Sequence, residues 1–177
     1  METREPGGTP LGERLRDILS DPHANISAEA ETLIFNASRA QLVADVIEPA
    51  LAAAKLVVCD RFWDATLAYQ GFARGLPVET IAHITMFAAR NLTPDLTFLL
   101  EIPVSVLHER IHGRRHARDR VEREQPSFHE KVAAGYRCLA QAEPKRIVVL
   151  DGTRPREKLA DVVRERVLAH WHAETQR

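Results

Sequence analysis

The chain has 177 residues, 45% hydrophobic and 28% charged, with 24 Lys+Arg against 25 Asp+Glu. That is enough for one globular domain with a buried core. It is too apolar for a disordered chain, and no run approaches the roughly 20 apolar residues of a membrane span. Cys59 and Cys138 are too few for a disulfide scaffold and read as reduced thiols of a cytoplasmic protein. The near-balance of charge speaks against a nucleic-acid binder, and no basic-then-apolar export signal is seen at the start.

Met1–Gly8 has no helical period and ends in a Pro-Gly-Gly turn. Thr9-Pro10 predicts an N-cap and first helical residue, opening a helix to about Leu19 with Leu11, Leu15, Ile18 and Leu19 on one face. Ser27, followed by Glu29 and Glu31, opens a second helical stretch to about Ala54, with a bend near Pro49. Leu56–Cys59 is a β-branched apolar run, the pattern of a strand buried on both faces, and it stops at Asp60-Arg61. A loop and short helix lead to Gly71 and Gly75, then a helix from Pro77 to about Arg90. Leu96–Ile102 is a second apolar run, followed by a helix over Val104–His112. Gly113–Arg123 is arginine-dense, without apolar period, and reads as a mobile loop. A helix from about Ser127 to Glu143, a third apolar run at Ile147–Leu150 and a closing helix over Pro155–Thr175 complete the chain. Strands alternating with helices predict an α/β domain, one unit over 1–177, with a largely parallel sheet. Only three strands are evident and the first follows two helices, so the sheet looks short of a strand at its start.

In open parallel sheets ligands sit beyond the carboxyl ends of the strands. Asp60 and Arg61 lie there, a carboxylate and a guanidinium able to hold a hydrated Mg²⁺ and a phosphate together; the plainer alternative is a solvated Asp-Arg pair. Arg4, Arg16 and Arg39 flank the same region. Phe35 and Arg39 share a helix face, where a ring can stack a base and a guanidinium can bond its exocyclic oxygen; alternatively Phe35 is core and Arg39 snorkels to water. Tyr69-Gln70, before Gly71, sets a side-chain amide able to read a base edge near flexible backbone. His108, His112 and His116 have metal-ligand spacing, but Gly113 interrupts the helix before the third and two arginines intervene.

These residues fall into a series: Thr3–Gly8 (TREPGG), Leu33–Leu42 (LIFNASRAQL), Val58–Arg61 (VCDR) continuing to Tyr69–Leu76 (YQGFARGL), Pro94–Thr97 (PDLT), Asp119–Glu122 (DRVE) and Phe128–Tyr136 (FHEKVAAGY). In order and spacing the series resembles the bacterial thymidylate kinase family over essentially the whole chain. The resemblance implies a P-loop-kinase-like fold of the nucleoside monophosphate kinase type, with helices flanking a parallel sheet. It also implies transfer of a phosphoryl group from ATP to dTMP with Mg²⁺, and a cytoplasmic homodimer.

Residue by residue, the resemblance implies that Phe35 stacks on thymine and Arg39 bonds its carbonyl edge. Arg16 and Arg61 hold the 5′-phosphate, Asp60 lies near the metal, and Thr66, Tyr69 and Gln70 line the base and sugar pocket. Glu5 lies at the sugar end of the acceptor site, and Arg114, Arg115, Arg118 and Arg120 form a lid over ATP. Without that resemblance the lid segment reads as a solvated basic loop or a nucleic-acid patch; Asp119, Glu122 and Glu124 among its arginines disfavour the latter.

Two departures stand out. Ala65 occupies a position where the family usually has serine, removing a polar contact worth about 0.5–1.5 kcal/mol. The family also begins with a central strand, a G-x-x-x-x-G-K-[ST] phosphate loop, a helix and a second strand ending in TREPGG; the resemblance puts Met1–Gly8 at the end of that second strand, and no such loop motif occurs among these 177 residues. The sequence is therefore read as an N-terminally truncated kinase with its acceptor site. The alternative is a non-catalytic dTMP-binding remnant or interaction protein.

Overall fold

The computed structural model describes residues 1–113 and 119–175, the last three through their helix backbone alone. Chain order is β1 (Glu2–Arg4), α1 (Pro10–Ser20), α2 (Ala28–Leu42), a π-helical continuation (Val43–Ile47) and α3 (Glu48–Ala52). Then come β2 (Val58–Asp60), α4 (Trp63–Thr66) with a π-helical extension (Leu67–Ala73), α5 (Val78–Ala88), β3 (Thr97–Glu101) and α6 (Val104–His112). α7 (Pro126–Ala142), β4 (Ile147–Asp151) and α8 (Arg156–Thr175) close the chain. No helix among the described residues is long and apolar enough to cross a membrane.

The local signals in the sequence act as read. Thr9 caps α1 by accepting from Gly12 N, and Ser27 caps α2 by accepting from Ala30 N. The expected bend near Pro49 is taken up by the π-helical turn before α3, where proline at the first helical turn sacrifices no bond.

The strands differ from expectation in three ways. Met1–Gly8, which shows no strand pattern of its own but where the family resemblance puts a strand end, contains β1; it pairs parallel with β2 in the register Glu2↔Val58, Thr3↔Cys59 and Arg4↔Asp60. Three polar residues carry no apolar alternation, and the ladder with β2 is what extends them, continued by Val58 N–H to Met1 O at 2.8 Å and Glu5 N–H to Asp60 O at 3.1 Å. Second, the run at Leu56–Cys59 is not buried on both faces. Val57 and Cys59 pack against Leu42, Val43 and Ile47, whereas Val58 is 55% exposed. Third, the described residues form not one sheet but two parallel pairs, β1–β2 and β3–β4, the latter in register from Thr97↔Ile147 to Glu101↔Asp151. Neither pair is strand-bonded to the other. The apolar face expected of α1 is only partly covered: Leu19 is buried and Leu15 half-buried, but Leu11 and Ile18 are exposed.

The core gathers around α4 and its π-helical extension. Trp63 and Leu67 pack with Ile81 and Ala89 on one side, and Ala68 and Ala73 with Phe128 and Val132 on the other. α7 crosses the extension closely enough that a Cβ at Gly135 would lie 2.9 Å from the Phe72 ring. That approach requires glycine and fixes the residues at 66–70 against the rest of the molecule.

Candidate functional site

β1 and β2 end side by side, at Arg4 and Asp60, and deliver Glu5, Asp60 and Arg61 to one rim. A cis peptide joins Glu5 to Pro6, and Gly8 (φ +76°) turns the chain where a Cβ would lie 2.6 Å from Leu42 and Thr3 side-chain atoms. Arg61 stands at φ +65°, a left-handed conformation costing a non-glycine residue roughly 1–2 kcal/mol. Its Nη2 reaches Glu5 O at 3.4 Å. Asp60 is exposed and has no ion pair or side-chain hydrogen bond among the described residues.

The interior of the site is a buried charge frame between α2 and α4. Arg39, 1% exposed, donates from Nε (2.9 Å) and Nη2 (2.7 Å) to Glu5 Oε2, from Nη1 to Asn36 Oδ1 (2.9 Å), and from Nη2 to Thr66 Oγ1 (3.0 Å). Phe62 lies 5.6 Å from the guanidinium carbon. Arg39 therefore does not snorkel to water. A guanidinium has five N–H groups; these bonds use four, and one N–H on Nη1 is left. Glu5 is equally buried, its Oε1 has no hydrogen-bond partner, and burial raises its carboxyl pKa against the pull of Arg39 and Arg61.

Two turns back along α2 a second frame forms. Glu31, 1% exposed, accepts from Gln70 Nε2 at 2.7 Å, from Arg74 Nε and Nη2 at 3.3 and 3.2 Å, and from Arg120 Nη2. Burial alone would raise the Glu31 carboxyl, but the bonds from Arg74, Gln70 and Arg120 outweigh it and hold the pKa below its ordinary value. Arg74 also pairs with Glu124 at 2.6 Å and lies over the Phe128 ring, 4.5 Å from its centroid.

Glu31, Phe35 and Arg39 are spaced i, i+4, i+8 and so share one stripe of α2. The stripe is bonded across to Gln70 at one end and Thr66 at the other, which places Phe35 midway between two cross-helix hydrogen bonds. Phe35 is half-buried and belongs to none of the three apolar clusters. Tyr69, half-buried between Phe128 and Tyr136, has its hydroxyl pKa pushed up by burial against the neighbouring Arg61.

Most of the expected acceptor-site residues thus converge: Glu5, Phe35, Arg39, Thr66 and Gln70 in the frame, and Asp60, Arg61 and Tyr69 at its rim. Arg16 is half-buried and donates to Pro6 O at 3.0 Å, bracing the loop beside Glu5. Arg120, expected in the lid, is engaged by Glu31 and by Leu19 O at 3.2 Å. Arg114, Arg115 and Arg118 lie outside the described residues, as does His116. α6 ends at His112 with Gly113 as its C-cap, and the described residues hold no cluster of three or more His, Cys, Asp or Glu side chains suited to a metal. Cys59 is half-buried, and burial pushes its thiol up to about 12, which disfavours the nucleophilic thiolate.

Sequence reasoning did not single out Glu31, Asn36 or Arg74 as parts of the site; the i, i+4 repeat from Glu31 through Phe35 to Arg39 was the signal for the first. It also gave no sign of Arg146, which stacks on Trp63 at 4.6 Å and forks onto Asp64 at 2.6 and 2.7 Å, tying β4 to α4.

A metal held here would use the free Asp60 carboxylate. Mg²⁺ commonly takes one or two protein carboxylates, with water and substrate phosphate completing its shell, and an exposed carboxylate beside Arg61 fits that donor set.

The thymidylate kinase family profile matches residues 1–163. A thymidylate kinase of Deinococcus radiodurans is 46% identical over 157 residues, covering 89% of this chain and 76% of that protein. One from Chromobacterium violaceum is 47% identical over 94% of this chain and 76% of its own length, and one from Desulfovibrio desulfuricans is 43% identical over 95% and 81%.

Proposed function

The chain belongs to the thymidylate kinase family, and we propose that it transfers the γ-phosphoryl group of ATP to dTMP, giving ADP and dTDP on the route to dTTP. The observation that carries the reading is the buried frame Glu5–Arg39–Thr66, with one guanidinium N–H left over and Phe35 on the same stripe. A half-buried ring beside a fixed donor suits a flat base bearing a carbonyl.

In this reading Phe35 stacks on thymine and the remaining Arg39 N–H meets its carbonyl edge. Thr66, Tyr69 and Gln70 line the pocket, and Glu5 Oε1, buried and unpartnered, receives a hydroxyl or water at the sugar end. Arg61 and Arg16 meet the 5′-phosphate, supported by the strained Arg61 backbone that turns this residue at the end of β2. Asp60 holds Mg²⁺, which supplies charge neutralisation for the phosphates. Arg114, Arg115, Arg118 and Arg120 serve the ATP side, as the family resemblance implies, and Arg120 also bonds Glu31. Phosphoryl transfer asks for positioning and charge more than covalent chemistry, which suits a site built from guanidinium groups. A homodimer follows from the family resemblance, and sedimentation velocity tests it.

Calorimetry with dTMP and a coupled ADP-release assay, run on one sample of the 177-residue chain, test the proposal. Binding with turnover supports it. A folded chain that does neither refutes it. Binding without turnover favours the non-catalytic reading, whose motivation is the absence of a G-x-x-x-x-G-K-[ST] motif from these residues.

A further inference from the structure

We propose that Glu31 is a positioning residue that makes Gln70 a one-way reader of the pyrimidine edge, so that thymine is accepted and cytosine refused. The inference rests on the acceptor-pocket reading above and assigns it a determinant of base specificity outside the pocket lining.

Gln70 is 2% exposed, and its side chain makes one hydrogen bond among the described residues, from Nε2 to Glu31 Oε1 at 2.7 Å. Its carbonyl oxygen and second amide hydrogen have no protein partner there. A primary amide turned by 180° about its last bond exchanges acceptor for donor at almost no steric cost. Thymine presents N3–H and a carbonyl at O4; cytosine presents a bare N3 and an amino group. An unconstrained glutamine therefore reads either base by choosing its orientation.

Glu31 removes that choice. An ionised carboxylate only accepts, so the reversed amide would set its oxygen against Glu31 Oε1 at hydrogen-bond distance. Glu31 is kept ionised by Arg74 and Arg120, which bring two guanidinium groups to it in a nearly waterless position. Glu31 does not reach the base. It fixes the amide so that the oxygen and remaining N–H of Gln70 form an acceptor–donor pair, which matches thymine and mismatches cytosine.

The test is calorimetry of the whole chain with dTMP, dUMP and dCMP, on wild type, Glu31→Gln and Glu31→Asp. In Glu31→Gln the new side chain can itself turn and offer an oxygen or an N–H, so Gln70 is released. The expected result is a fall of about tenfold in the preference for dTMP over dCMP, the upper range for one neutral hydrogen bond. The preference for dTMP over dUMP, which share the edge in question, should not move. Removing the counter-charge of two arginines could unfold Glu31→Gln. Glu31→Asp keeps that charge but withdraws it one methylene from Gln70, and carries the same expectation. On wild type alone, the ¹H–¹⁵N spectrum should show one Gln70 amide proton held by a carboxylate and slow to exchange, before and after dTMP is added. A folded variant with unchanged dTMP-over-dCMP preference overturns the inference. So does an equal loss of both nucleotides, which a merely structural Glu31 would give, or a freely exchanging Gln70 amide. Absence of dTMP binding to wild type would instead bring down the pocket reading, and the inference with it.

Discussion

Arg39→Met is the perturbation whose consequences the structure defines most closely. The substitution keeps most of the side-chain volume and removes the guanidinium. Glu5 then stands buried with neither carboxylate oxygen partnered, since Oε1 already lacks a donor and Oε2 loses both bonds from Arg39. Breaking a buried ion pair from one side costs about 3–5 kcal/mol. The acceptors on Asn36 and Thr66 also lose their donor, adding about 1 kcal/mol. A total of about 4–6 kcal/mol is a large part of the 5–15 kcal/mol typical of a domain. With a urea slope near 2 kcal/mol per molar, the unfolding midpoint should fall by about 2–3 M. The loss should shrink as pH falls, because the carboxyl of Glu5, already raised by burial, takes a proton and ceases to be a buried charge. Glu5→Leu/Arg39→Met removes both charges together and should recover most of the stability, because well-packed apolar replacements of buried pairs are often neutral. Its dTMP affinity should remain lost, separating the stability role from the binding role. A cost below about 1 kcal/mol for Arg39→Met would refute the buried pairing. A folded double variant that binds dTMP as the parent does would refute the base contact.

Phe35→Ala should cost less stability than the 3–5 kcal/mol of a core phenylalanine, yet weaken dTMP binding by about 1–3 kcal/mol through lost stacking; an unchanged Kd beside a large drop in urea midpoint would return Phe35 to the core. Arg61→Gly relieves the φ of +65° while deleting the guanidinium, so stability should hold or rise as dTMP affinity falls; thymidine, which has no phosphate, should bind as before, and equal loss of both ligands would contradict the phosphate role. Glu31 has its pKa lowered by its hydrogen bonds, so its contribution is fully present above about pH 4.5 and is lost as pH falls through the folded value. Glu5, with its pKa raised, contributes in the opposite sense. Urea midpoints between pH 3 and 6 should therefore fall less steeply with acidification in Glu31→Gln than in the parent chain; parallel profiles would remove Glu31 from the acid response.

Helices were legible because their signals are local. The Thr9-Pro10 and Ser27 caps, and the stop at Gly113, depend on residues within a turn of each other. β1 was legible only through the family resemblance, because Glu2-Thr3-Arg4 is extended by its ladder with a strand more than fifty residues away, and no local periodicity encodes that. Nor does local periodicity encode the division into two strand pairs or the exposed face of β2. In the site, the Phe35–Arg39 spacing was readable from α2 alone. The partners were not: Arg39 meets Glu5 across 34 positions, Gln70 meets Glu31 across 39, and Arg120 meets Glu31 across 89. Composition recorded many arginines and almost balanced charge, but could not tell which guanidinium groups are already spent inside the protein. Arg120 and Arg146 are, whereas Asp60 at the rim is free.

On the proposed reading, that distinction explains why so much charge is buried beside the acceptor site. Stability alone does not require it, since an apolar α2–α4 interface of the same volume would hold as well. What the buried carboxylates supply is direction. Glu5 takes two of the Arg39 N–H groups, Asn36 and Thr66 take two more, and the fifth is left in a fixed position rather than swept over a cone of rotamers. Glu31 does the same for the Gln70 amide. Donors and acceptors held this way need no reorganisation when a base arrives, and in a water-poor interior their fixed dipoles act at low dielectric. A surface arginine and glutamine with the same formal groups would have to order their side chains on binding, at about 0.5–1.5 kcal/mol for each one immobilised. On the proposed reading the two carboxylates bear that ordering during folding, and selectivity at the pocket would be set by residues that need never touch the ligand's base.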